Sequence, residues 1–170
     1  MKNTIILILT VSFLSCGKKT VPLTQPFESV KEMVEYHLRC IEKNDAKCFS
    51  ERLLTYQEFQ ASVYKELPEG KDKVSNIDQN VYWGWILPDR KKSIKKLFER
   101  YGGTKILSYT IGEPKKTMQL DSIKLHRDVP IFVNFQDAKT GKTETLSSAE
   151  VFKAIVELNG KFKLWSMNYE

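Results

Sequence analysis

The hydrophobic period of this chain changes once, at Gly102-Gly103, and that change constrains the class of fold open to it. Before the two glycines, apolar residues recur at three- and four-residue spacing, as helices with one buried face require. After them, apolar and polar residues alternate, because successive side chains of a half-buried strand point to opposite faces. Helices first and strands second make an α+β fold, with N-terminal helices packed on one face of an antiparallel sheet.

The first helix is expected over residues 26–43, where Phe27, Val30, Val34, Leu38 and Ile41 share a face and Pro26 is tolerated in the first turn. Asn44-Asp45 breaks that pattern, and Asp45 can cap a second helix. That helix places Phe49, Leu53, Tyr56, Gln60, Val63 and Leu67 on one side and stops at Pro68-Glu69-Gly70. Residues 71–88 are less regular and hold Tyr82-Trp83-Gly84-Trp85. Asp89 then reads as the cap of a third helix, with Ile94, Leu97, Phe98 and Tyr101 as its stripe.

Among the strands, Leu107, Tyr109 and Ile111 alternate, as do Met118 and Leu120, then Ile131, Val133 and Phe135. Lys139-Thr140-Gly141 reads as a turn. Phe152, Ala154, Val156 and Leu158 lead into Asn159-Gly160, the strongest hairpin signal in the chain. The last strand begins with Phe162 and Leu164 inward and then shifts phase to Trp165, Met167 and Tyr169. Such a slip implies a bulge or a strand buried on both faces.

Ahead of the first helix stand a basic Lys2, an apolar run over residues 4–14, and Ser15-Cys16-Gly17. That layout is a secretory signal with a small-residue cut site, and a cysteine directly after the cut resembles the lipobox of bacterial lipoproteins. Phe13 and Leu14 depart from the usual residues of that motif. The resemblance implies a lipid on Cys16 and an anchor in the cell envelope. The outer membrane is favoured over the inner, since Gly17 is not the aspartate that retains some lipoproteins at the inner membrane. The expected organisation is a signal peptide over residues 1–15, a lipidated cysteine and tether over 16–25, and a single domain over 26–170. Without Lys2 the chain holds 26 basic residues against 21 acidic ones, of 27 and 21 in all, a surplus suited to anionic phosphates but too small to argue for nucleic acid. Cys40 and Cys48 remain as an even pair in an oxidising compartment, and a disulfide between them would staple the two helices. The alternative is two free buried thiols.

Three stretches resemble the nuclear transport factor 2-like superfamily. They are Glu42-Lys43-Asn44-Asp45-Ala46 running into a second helix, Phe98-Glu99-Arg100-Tyr101-Gly102-Gly103 before the first long strand, and the closing hairpin around Asn159-Gly160. The resemblance covers about residues 26–170 and implies a strongly curved sheet wrapped around helices, a cone with an apolar mouth. Its members include isomerase- and dehydratase-like enzymes as well as non-catalytic binding domains, and fold alone does not choose between them.

An enzyme of that shape needs a carboxylate or imidazole inside the cone. His37 borders the stripe of the first helix and could face the pocket, although a boundary position on the helix surface is the simpler reading. His126 and Asp121 are expected in solvent. Nothing has metal-ligand spacing, and Thr140-Gly141-Lys142-Thr143 is a hairpin turn, not a phosphate loop, because Gln136 stands where a leading glycine belongs. Trp83 and Trp85, with Tyr109, Trp165 and His37, are candidates to line a pocket, although ordinary core and lid packing is the simpler reading of the aromatic cluster. Arg90, Lys91, Lys92, Lys95 and Lys96 are candidates to meet an anionic partner, and for Arg90, Lys91 and Lys92 a place in the first helical turn would oppose the macrodipole. A solvated face kept soluble by charge is the simpler reading of them. The chain is therefore expected to be a lipid-anchored envelope protein that binds a small apolar ligand or an envelope protein, with no cofactor, metal, nucleic acid or catalysis. The alternatives are an isomerase- or dehydratase-type enzyme and a surface adhesin for host matrix or glycans.

Overall fold

The structure, a computed structural model, describes residues 22–67, 78–137, 140–147 and 151–167. The signal segment, Cys16, the stop at Pro68 and the turn residue Lys139 lie outside the described residues. The architecture is α+β with two antiparallel sheets.

Helix α1 (Val30–Glu42) starts later than its apolar pattern predicts, because the Ser29 hydroxyl accepts from the Glu32 N–H and caps it there. Phe27 is instead paired with Phe162, their backbones exchanging hydrogen bonds of 3.0 and 2.9 Å. α1 buries Met33, Val34, His37, Leu38, Cys40 and Ile41. Helix α2 (Ala46–Glu51) is capped by Asp45, whose carboxylate accepts from the Cys48 N–H at 2.8 Å. A Cys40–Cys48 disulfide joins the two helices, with Cα atoms 5.7 Å apart.

The continuous second helix expected from the apolar spacing is broken. α2 ends at Glu51, and the chain crosses to the sheet, where Leu54 N–H donates to the Leu164 carbonyl at 2.9 Å. It restarts at a capping box in which Thr55 and Glu58 satisfy each other's backbone N–H groups. This α3 (Tyr56–Glu58) runs on as a π turn over Phe59–Val63 and a 3-10 turn over Tyr64–Glu66.

Helix α4 (Gln79–Tyr101) also departs from expectation. Its cap is Asp78, which accepts from the N–H groups of Asn80 and Val81, and it passes through Pro88 without stopping. Pro88 has no N–H for the Gly84 carbonyl, but both residues are exposed and water can serve that oxygen. Asp89 and Arg90 are therefore mid-helix, and the macrodipole cost expected for the basic cluster does not arise. At the far end, Gly103 adopts φ +80 and its N–H donates to the Ile41 carbonyl at 2.9 Å. A Cβ on Gly102 would overlap the Asn44 side chain and the Phe98 carbonyl. The pair of glycines thus locks α4 against the α1–α2 corner before the strands begin.

Strands β1 (Lys105–Ile111), β4 (Ile131–Gln136) and β5 (Thr143–Ser147) form one sheet in the order β1-β4-β5. Strands β2 (Lys116–Gln119), β3 (Ile123–Arg127), β6 (Ala154–Leu158) and β7 (Lys161–Ser166) form the other, in the order β2-β3-β6-β7. The chain joins the two sheets at one corner. β1 leads into β2 and β3 into β4, and Gly112 N–H donates to the Pro130 carbonyl at 2.7 Å across the corner.

Strand β6 is buried on both sides. Ile155 joins the core built by α1, α2 and the second half of α4, while Ala154, Val156 and Leu158 join a second core with Phe59, Val63 and Trp83. Helices therefore lie on both faces of this sheet, not on one. The phase slip in the last strand is a bulge: Ala154 pairs with Ser166 but Ile155 pairs with Leu164, which leaves Trp165 extra and turned into the second core.

Candidate functional site

Strand register builds a cleft on the second-core face of the β2-β3-β6-β7 sheet. Residues directly opposite in antiparallel strands share a face, so Lys116, Arg127, Ala154 and Ser166 form one row across all four strands. Two residues further along, Met118, Leu125, Val156 and Lys163 form the next row. Ala154 is the smallest side chain in its row, and Trp165 stands beside it on the bulge.

Over these rows lie Leu67, at the end of the 3-10 turn, and Tyr82, Ile86 and Asp89 on α4, whose spacing of four and three residues puts them on one helix face. Between floor and roof is a cleft of about 700 Å³, lined also by Lys153 and Met167. Phe59 ties roof to floor by stacking on Tyr82 at 5.6 Å and packing against Trp165 at 5.7 Å. The Trp165 indole nitrogen is buried and has no partner among the described residues.

Burial pushes the Tyr82 hydroxyl up, and the nearby Arg127 charge pulls the other way. Lys116, Arg127 and Lys153 make no ion pair among the described residues. The cleft therefore has a cationic end and an apolar body.

Beside the floor lies a buried ion pair absent from the sequence reading. Lys163 Nζ donates to both carboxylate oxygens of Glu58, at 2.8 and 2.9 Å, and both residues are almost fully enclosed. Burial alone would raise the Glu58 carboxyl. The Lys163 ammonium and the N–H groups of Thr55 and Thr24 outweigh it and hold the group below the usual carboxylate range.

Of the sequence-derived pocket candidates, the structure brings only Trp165 to this cleft. His37 is fully enclosed in the α1 core, within 4.6 Å of the Phe49 ring and 5.7 Å of Phe27. Its Nδ1 lies 2.7 Å from the Met33 carbonyl, which assigns the proton to that nitrogen, and Nε2 has no partner among the described residues. Burial pushes this imidazole down to about 4, and Arg52 adds to the effect. Enclosed by aromatic rings, it cannot line a pocket.

Trp83 is a core residue under Arg90, whose guanidinium sits 5.1 Å from its ring, and Trp85 is exposed on α4 away from the cleft. Tyr109 lies in a separate groove of about 190 Å³ with Leu38, Arg39, Glu42 and Ile106. Its hydroxyl donates to Glu35, which pushes it up to about 12.

The basic cluster divides in the same way. Arg90 is buried and donates to the carbonyls of Leu54 at 2.9 Å and Trp165 at 3.3 Å, so it is withdrawn from any outside partner. Burial pushes its guanidinium down to about 10, still charged at neutral pH. Lys91, Lys92 and Lys95 are exposed, Lys96 is half-buried, and Lys95 lies 3.7 Å from Glu99.

His126, expected in solvent, is instead half-buried on the other face of the sheet. Its Nε2 is 2.8 Å from Glu157, and Lys124 also reaches that carboxylate at 3.0 Å. A β3–β6 register that places Lys124 opposite Glu157 creates this cluster, and alternation alone could not reveal it.

Among the described residues, no group of three or more His, Cys, Asp or Glu is placed to hold a metal ion, and no helix is long and apolar enough to cross a membrane. No family model, curated protein or solved structure matches the chain.

Proposed function

We propose that this chain is a lipid-anchored protein of the bacterial cell envelope, with one domain of the nuclear transport factor 2-like kind that binds a small ligand without transforming it. The cleft between α4 and the β2-β3-β6-β7 sheet carries the binding half of this reading. Its volume of about 700 Å³ falls in the range of small-molecule sites, and Tyr82, Ile86, Met118, Leu125 and Trp165 give it an apolar body. The fold half draws support from the corner at which the chain joins the two antiparallel sheets and from helices preceding every strand. The anchoring half rests on Lys2, the apolar run and Cys16.

A binding role is favoured over the isomerase or dehydratase reading because that reading depends on His37, which is enclosed, neutral and bonded to its own helix. Native mass spectrometry of the protein released from its host envelope tests the proposal. A reproducible adduct, lost when Ala154→Trp fills the cleft, is the expected result. An adduct that persists in that variant would move the binding site elsewhere.

A further inference from the structure

The cleft's cations are arranged at a cost that its neighbours do not offset. Lys116 and Arg127 are direct register partners on one face, where like charges repel at Cβ separations of roughly 5 Å. Lys153 adds a third cation at the same end, next to Ala154, the residue directly across from Arg127. Asp89 is the sole acid lining the cleft among the described residues, and it forms no ion pair with any of the three. Solvent screens part of this repulsion, but a bound anion would remove more of it.

Polarity then falls away along the strands. One row further in, roughly 7 Å at two residues of strand rise, the floor is Met118 and Leu125 and the roof Tyr82 and Ile86. Ala154, the smallest side chain of the cationic row, lines the cleft beside them. A free anion would leave the apolar zone wet, and a neutral hydrophobe would leave the cations unpaired.

We infer that the cleft takes a single-chain anionic amphiphile, its carboxylate or phosphate between Lys116, Arg127 and Lys153 and its chain over Met118 and Leu125 beneath Tyr82 and Ile86. This deepens, and rests on, the reading of the cleft as a ligand site. Fatty carboxylates and single-chain phosphate esters share the required chemistry.

Calorimetric titration of the full chain carrying Cys16→Ser, with decanoate, decyl phosphate, decanol and inorganic phosphate below micelle-forming concentrations, separates the possibilities. Both charged amphiphiles, or one of them, should bind roughly tenfold or more tightly than decanol, as charge-assisted hydrogen bonds imply. Whichever of the two binds more tightly identifies the head group. The double variant Lys116→Ala/Arg127→Ala, which alters two exposed side chains, should erase that advantage and leave decanol binding unchanged.

Decanol binding as tightly as decanoate would overturn the anionic part while leaving the cleft a ligand site. Inorganic phosphate binding as tightly as decyl phosphate would overturn the amphiphile. Absence of binding by all four probes would overturn the inference together with the ligand-site reading. If the double variant is unstable, Lys153→Ala alone should weaken the charged probes and not decanol.

Discussion

Replacing His37 with phenylalanine should flatten the acid side of the protein's stability curve. In the folded protein the imidazole is pushed from 6.5 to about 4, because protonation would place a second N–H among the rings of Phe27, Phe49 and Phe152 with no acceptor. The unfolded chain takes up that proton below its ordinary value and the folded chain does not. Stability is therefore complete above about pH 6.5, falls as pH drops, and stops changing on this account below about pH 4. At about 1.4 kcal/mol per pH unit the whole window is worth about 3 kcal/mol, and the step from about pH 7 to about pH 5 about 2 kcal/mol.

Urea unfolding of wild type and His37→Phe at those two pH values measures it. The carboxylates held low, Glu58 and Glu157, also lose their contribution on acidification, but they do so in both proteins and cancel in the difference. Phenylalanine suits the aromatic surroundings and removes the unpartnered nitrogen, so the variant should fold. Equal pH dependence in the two proteins would refute the assignment. So would an NMR titration that finds the ring of His37 protonating near pH 6.5.

Reduction of Cys40–Cys48 should lower stability by about 2–3 kcal/mol, the loop-closure value for so short a separation, seen as a lower urea midpoint in dithiothreitol. Glu58→Gln strands the Lys163 ammonium in the second core and should cost about 3–5 kcal/mol in chemical unfolding, whereas a loss below 1 kcal/mol would mean the pair is solvated. Cys16→Ala should move the protein from the detergent phase to the aqueous phase on partition of whole cells. An unchanged distribution would count against the lipid anchor.

Much of the fold can be read from the chain because its signals are local. The period change at Gly102-Gly103, the cap at Asp45, the Asn159-Gly160 hairpin and the phase slip at Trp165 each act within a few residues. Misreadings arose where a local signal was overridden or passed over. Thr55-x-x-Glu58 is a capping box inside an apolar stripe that looks continuous, and Pro88-Asp89 resembles a helix start although Asp78 had already supplied one.

The cleft was illegible for a different reason. Lys116, Arg127, Ala154 and Ser166 become neighbours only through the pairing register of four strands, and alternation gives a residue's face without giving its partner. Arg90 shows the same limit. Its run of basic neighbours reads as surface, and only the helix phase reveals that it turns inward to two carbonyls.

The route by which the chain enters the fold has a mechanical consequence. Leu23 is buried in the second core, the Thr24 N–H is held by Glu58, and Phe27 is laced to Phe162 at the edge of β7. Tension arriving ahead of residue 22 therefore meets the clamp at Glu58 and Lys163 and the Phe27 lacing before it can peel α1 from the core. Because β7 is paired with β6, the strand both cores share, the load passes from the edge of the four-stranded sheet into its interior.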